Sequence, residues 1–195
     1  MEIIKILYQL VTKKQIDVIV DYLKQEQTIV CPTDTIYGLS ALATSRKAIN
    51  KIYKIKKRDK KKSLIILVNS WKMLKDYCLI NPAQKKYLKS IWPGPVTVIL
   101  ISKSILLKGL RLEESVAVRM PKNELLLKIL RRIKAPLVST SLNISGQPFL
   151  TNLENLEKYF TKVRPDLMVD AGEIKNKPSR LVDLRDIENI RVLRK

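Results

Sequence analysis

The chain has 195 residues, with 38 Lys and Arg against 18 Asp and Glu, giving a formal net charge of +20. It contains no histidine, which excludes a Ser-His-Asp triad, a Cys-His pair, an HExxH zinc site and any imidazole base. Its two cysteines, Cys31 and Cys78, stand in apolar surroundings; they are too few for a four-ligand cysteine zinc site and read as small buried hydrophobes.

Met1 to Val11 is apolar but interrupted by Glu2, Lys5 and Gln9, without the small-residue cleavage site of a secretion leader. Lys13 to Gln25 places Ile16, Ile19, Val20 and Leu23 at helical spacing behind a Thr12 N-cap. Thr28–Cys31 is a short apolar strand stopped by Pro32. Ser45 caps a helix running through Ala48, Ile49, Ile52, Tyr53 and Ile55, and the strand Leu64–Val68 follows. Helices are predicted over Trp71–Tyr77 and Pro82–Ile91, then strands over Val96–Ile101 and Val116–Arg119, the latter closed by Pro121. An amphipathic helix, Leu125–Ile133, precedes a buried strand at Leu137–Thr140. Leu153–Phe160 reads as helical, and the tail carries strands near Leu167–Val169, Leu181–Leu184 and Ile190–Leu193. Alternating helices and strands predict an α/β fold with a mixed sheet. The length fits a single domain over 1–195, and 46% hydrophobic residues supply a core. The longest apolar stretches fall far short of the ~20 residues a membrane span needs, so a cytoplasmic protein with no membrane partner is expected.

Five segments interrupt this core-forming pattern. Pro32–Gly38 follows a buried strand and offers two threonine hydroxyls and the Asp34 carboxylate, either as a ligand loop or as an ordinary turn. Lys54–Lys62 holds seven basic residues in nine and is read as a loop; Lys60–Lys62 fit a solvated charge run, whereas Lys56 and Arg58, near the helix end, are better placed to bind phosphate. Trp92-Pro93-Gly94-Pro95 makes a rigid turn with a structural role. Arg119 ends an otherwise apolar strand and requires an anionic partner, an internal carboxylate or one carried by a substrate. Ser139–Gly146 is dense in hydroxyls, suited to phosphate or ribose or to a capping turn. The five glycines are too scattered for a GxGxxG or a P-loop, so Lys, Arg, Ser and Thr side chains would have to hold any nucleotide. The charge of +20 fits a polyanion partner such as RNA, although 27 of the 38 basic residues are Lys, a bias that compositional drift also produces.

In this order, PTDTIYGL (32–39), KIKKRDKKKSLI (54–65), WPGPVT (92–97), VAVRMP (116–121), STSLNISG (139–146) and KPSRLVD (177–183) resemble the YrdC-like family of threonylcarbamoyl-AMP synthases, in its short, single-domain bacterial form. The resemblance implies a twisted mixed β-sheet flanked by helices, with a basic concave site. It implies that L-threonine, bicarbonate and ATP, with Mg²⁺, give L-threonylcarbamoyl-AMP and pyrophosphate, the product passing to a partner enzyme complex that forms t6A at position 37 of tRNA. Carried over, Thr35, Arg119, Ser139 and Ser179 would hold threonine, with Arg119 facing its carboxylate. Lys56, Arg58, Ser141, Asn143 and Arg194 would hold ATP, with Lys56 and Arg58 as the catalytic pair, and Tyr37 would shape the pocket; no residue is assigned to a metal. The sequence departs from the family pattern at Asp59, Ser63, Leu67 and Leu142, and Leu142 is expected to reshape the nucleotide pocket. Such chemistry needs positioning and charge neutralisation rather than a protein nucleophile, so a histidine-free chain suffices. The alternative is a non-catalytic module binding tRNA or double-stranded RNA through the same basic concavity.

Overall fold

A computed structural model describes residues 2–7, 10–103, 110, 113–154 and 156–195. In chain order its elements are β1 (Glu2–Lys5), α1 (Lys13–Lys24), β2 (Ile29–Cys31), β3 (Gly38–Leu42), α2 (Arg46–Lys56), β4 (Ile65–Leu67), α3 (Trp71–Tyr77), β5 (Cys78–Leu79) and α4 (Pro82–Ile91). They continue with β6 (Val96–Ser102), β7 (Ser115–Arg119), α5 (Glu124–Ile133), β8 (Leu137–Ser141), α6 (Leu156–Tyr159), β9 (Leu167–Asp170), β10 (Arg180–Asp183) and β11 (Arg191–Arg194).

The strands form one mixed sheet in the order β1-β9-β2-β3-β8-β4-β7-β6-β10-β11, with β5 paired to the far end of β6. Successive side chains on a strand point to opposite faces, and the sequence uses this to build two cores. Val30, Ile66, Val118, Val138 and Met168 face a cluster shared with α2, α3 and α4. Their neighbours Ile29, Cys31, Leu67, Leu137 and Leu167 face the other way, against Ile19, Val20 and Leu23 of α1 and Leu125, Leu126 and Ile129 of α5. Burial on both faces is why these strands read as continuous apolar runs.

The predicted caps are present: Thr12 Oγ1 accepts from Gln15 N–H at 3.2 Å and Ser45 Oγ accepts from Ala48 N–H at 3.1 Å. Both thiols are buried and free, and burial pushes each up to about 12. One strand was not foreseen and two expectations need correction. Residues 38–42, for which the sequence suggested no element beyond the turn ending at Gly38, form a full strand, β3, pairing with β2 and β8; its glycine start and short length hid it. The basic run is not wholly a loop, because α2 extends through Lys56. The Leu153–Phe160 helix is reduced to Leu156–Tyr159, with residue 155 outside the described residues. No helix among the described residues is long and apolar enough to cross a membrane.

Candidate active site

On the face that carries α1 and α5, the strands turn from large apolar to small polar side chains: Gly38 and Ser40 on β3 lie opposite Ser141 and Ser139 on β8. Over this polar floor opens a cavity of about 200 Å³. Its walls are lined by three arginines (Arg58, Arg119, Arg194), by the hydroxyl-bearing Thr35, Ser139, Ser141 and Ser179, by Tyr37, and by apolar Ile65, Leu67 and Leu126.

Arg119 ends β7 and is 3% exposed. Its Nε donates to Gly94 O at 3.1 Å and its Nη1 to Thr35 Oγ1 at 2.8 Å, while Nη2 lies 2.7 Å from Asp34 Oδ1. The internal carboxylate that a buried strand-end arginine requires is therefore Asp34. Nη2 and Oδ1 meet as charges, since neither makes a hydrogen bond among the described residues. Asp34 is fixed in turn by Lys122 N–H, 3.0 Å from Oδ2. The Trp92–Pro95 turn presents the Gly94 carbonyl, and glycine is required there because a Cβ would stand 2.6 Å from Ile91 O. Burial lowers the pKa of Arg119, opposed by the Asp34 charge, but a guanidinium stays protonated in proteins.

Arg58 is aimed by the end of α2. Lys57 adopts left-handed geometry with φ 48°, folding the chain back so that Arg58 Nε donates to Lys62 O and Nη2 to Ser63 O, both at 3.1 Å. Asp59, one of the departures, accepts Lys61 N–H at 2.9 Å and so forms the turn by its own side chain. Arg194 reaches the cavity from β11 by donating through Nε to Ser179 O at 2.9 Å and through Nη2 to Ser179 Oγ at 3.2 Å. Burial lowers the pKa of both arginines.

Lys56 and Asn143 do not line the cavity. Lys56 is 1% exposed, and its Nζ donates to Ser141 O (2.6 Å), Asn143 O (2.9 Å) and Asn143 Oδ1 (2.7 Å). Burial, with the Arg58 charge nearby, pushes this amine down to about 7; yet only an ammonium offers three N–H donors, so the arrangement is built for the charged form. Asn143 Oδ1 also accepts from Ser141 Oγ at 2.6 Å and its Nδ2 donates to Gln147 O at 2.6 Å. Lys56 thus pins the loop that follows β8. Its spacing from Ile49 and Ile52 puts it on the buried face of α2, a signal present in the sequence. Tyr37, fully buried, donates to Gly172 O at 2.6 Å and accepts from Ala171 N–H at 3.0 Å, tying the first motif to the turn after β9; burial pushes its hydroxyl up to about 12. Leu142 points away from the cavity into the α2-side core, so that departure alters packing rather than the pocket. Ser63 and Leu67 do line it.

A second layer of hydroxyls backs those of the cavity. Thr33 Oγ1, one of the two threonine hydroxyls of the first motif, pairs with Thr35 Oγ1 at 2.9 Å within the same loop. Sequence reasoning missed Ser40 and Thr97: Ser40 Oγ donates to Ser139 Oγ at 3.0 Å and Thr97 Oγ1 pairs with Ser179 Oγ at 2.8 Å, contacts between residues far apart in the chain. Among the described residues no group of three His, Cys, Asp or Glu is placed to hold a metal, and Asp34, beside the cavity, is committed to Arg119 and Lys122.

The family model for Sua5, YciO and YrdC proteins, described as telomere recombination, matches residues 21–195. A threonylcarbamoyl-AMP synthase of Photorhabdus laumondii is 34% identical over 165 residues, 83% of this chain and 87% of that protein. Among solved structures, Escherichia coli YciO shares the fold with a TM-score of 0.90 at 23% identity, over all of this chain and 95% of that one. Pyrococcus abyssi Sua5, complexed with L-threonine, aligns with a TM-score of 0.86 at 28% identity over 94% of this chain, which spans 54% of that longer one. The motifs, the mixed sheet and these similarities agree: the chain belongs to the Sua5/YciO/YrdC family.

Proposed function

We propose that this chain is an L-threonylcarbamoyl-AMP synthase, an enzyme that makes threonylcarbamoyl-AMP and pyrophosphate from L-threonine, bicarbonate and ATP, and that its product serves t6A formation at position 37 of tRNA through a partner enzyme complex. The observation that carries this reading is the Arg119 fork, buried at a cavity that two further arginines also line. The names of the relatives and the threonine-bound Pyrococcus structure support it.

In this reading Arg119 and Thr35 hold the threonine carboxylate, for which a guanidinium fork is the matching donor. Ser139 and Ser179 donate to substrate oxygens, and Leu67 and Leu126 receive the side-chain methyl. That contact discriminates threonine from serine by about 1–3 kcal/mol. The amine adds to the carbon of bicarbonate and water leaves, giving the carbamate. A carbamate oxygen then attacks the α-phosphorus of ATP, whose bond to the bridging oxygen breaks to release pyrophosphate. Arg58 and Arg194 stand where the charge of the phosphates accumulates, and Lys56, Ser141 and Asn143 shape the loop that borders the nucleotide. Mg²⁺ would enter with ATP, its charge offsetting that of the phosphates.

The test is pyrophosphate release from ATP with L-threonine and bicarbonate omitted in turn. Release that requires both is expected. Release from neither, by folded protein that instead binds RNA with a steep salt dependence, would replace this reading with the RNA-binding one.

A further inference from the structure

Ser40 stands directly opposite Ser139 in the β3–β8 pairing, on the face that also carries Gly38 and Ser141. On its other side its register partner is Ile29 of β2, a member of the apolar cluster under α1 and α5 together with Leu137. Ser40 is 0% exposed, and a hydroxyl buried among apolar groups must find a hydrogen-bond partner. The one it has is Ser139 Oγ at 3.0 Å, with Ser40 as the donor.

That direction has a consequence for Ser139. Its oxygen accepts from Ser40, so its own proton points elsewhere, and it makes no other hydrogen bond among the described residues. Ser139 lines the cavity. Beside it, a Cβ on Gly38 would stand 2.8 Å from Ser139 Oγ, so the glycine keeps space open around this hydroxyl. Fold stability does not call for a serine at position 40, because an apolar residue of similar size would suit that part of the core equally well or better.

We propose that Ser40 is a positioning residue: its buried hydroxyl orients Ser139 as a hydrogen-bond donor into the cavity, toward a substrate oxygen. The proposal rests on the threonine-binding reading given above, and it deepens that reading by assigning a residue that touches no ligand.

The test measures L-threonine binding by titration calorimetry, with KM, kcat and the melting temperature, for the wild type, Ser40→Ala, Ser139→Ala and the double variant. Ser40→Ala is expected to weaken threonine binding by about 3–10-fold, the worth of one hydrogen bond, with a melting temperature equal to or above that of the wild type. In the Ser139→Ala background the same change is expected to leave Kd unaltered, since coupled residues are non-additive. Ser40→Cys keeps the volume but donates weakly and should fall with the alanine variant, which keeps the test open if Ser40→Ala misfolds. Wild-type affinity in both Ser40 variants, or equal losses in the two Ser139 backgrounds, would overturn the proposal. A wild type that binds no threonine would instead overturn the function on which it rests.

Discussion

Arg119 and Asp34 meet at 2.7 Å beside the cavity, a buried charge pair contributed by the end of β7 and by the loop after β2. The two side chains are 4% and 13% exposed, and the arginine is further held by Gly94 O and Thr35 Oγ1. A guanidinium in such a place is stable only while its countercharge remains. Arg119 also lines the cavity, where a ligand carboxylate would be a second counter-ion.

Removal of Asp34 therefore separates stability from binding. Asp34→Ala is expected to lose about 3 kcal/mol in urea unfolding, because it strands a buried charge, and saturating L-threonine should restore part of that loss. Arg119→Lys keeps the charge but not the fork, and its KM for threonine should rise at least about tenfold. Unchanged stability in the first variant and unchanged KM in the second would contradict the arrangement described.

Lys56 acts on the loop after β8 rather than lining the cavity. Lys56→Met keeps the apolar stem but removes three N–H donors from Ser141 O, Asn143 O and Asn143 Oδ1. Each acceptor left buried costs about 1–3 kcal/mol unless water reaches it. Amide exchange across residues 142–150 should accelerate, and KM for ATP should rise. Wild-type exchange protection in this loop would contradict the pinning role.

Asp183 gives the sheet edge that carries Arg194 a pH dependence. Arg185 and then Arg191 hold its carboxyl down from 3.8 to about 2, against the opposing effect of burial. A carboxylate with a lowered folded pKa contributes stability that is present above pH 3.8 and is lost as pH falls through about 2. The contribution is at most about 2 kcal/mol, discounted because both arginines are well exposed. In Asp183→Asn, the stability measured between pH 4 and 2 should vary less steeply than in the wild type; an identical slope would contradict the assignment.

Local signals were legible in the sequence and long-range pairings were not. Thr12 and Ser45 read correctly as caps because a helix start is written within four residues. The apolar runs at Ile29–Cys31 and Leu137–Thr140 read as buried strands because both faces of the sheet are covered. β3 was missed because Gly-Leu-Ser-Ala-Leu is short, opens with glycine and carries a serine that periodicity counts as polar surface. Ser40, Thr97 and Asp34 gain their roles from Ser139, Ser179 and Arg119, which lie 99, 82 and 85 positions away in the sequence. Lys56 was read, with Arg58, as a phosphate ligand near the helix end, although its spacing from Ile52 already placed it on the buried face of α2. Family motifs brought together the cavity residues that periodicity could not connect.

The most direct test of the central claim follows the carbon of bicarbonate. Protein incubated with ATP, L-threonine and ¹³C-bicarbonate should yield an adenylate whose mass contains threonine and one labelled carbon, and Arg119→Ala should abolish it. An adenylate without the label, or no adenylate from folded wild-type protein, would contradict the account.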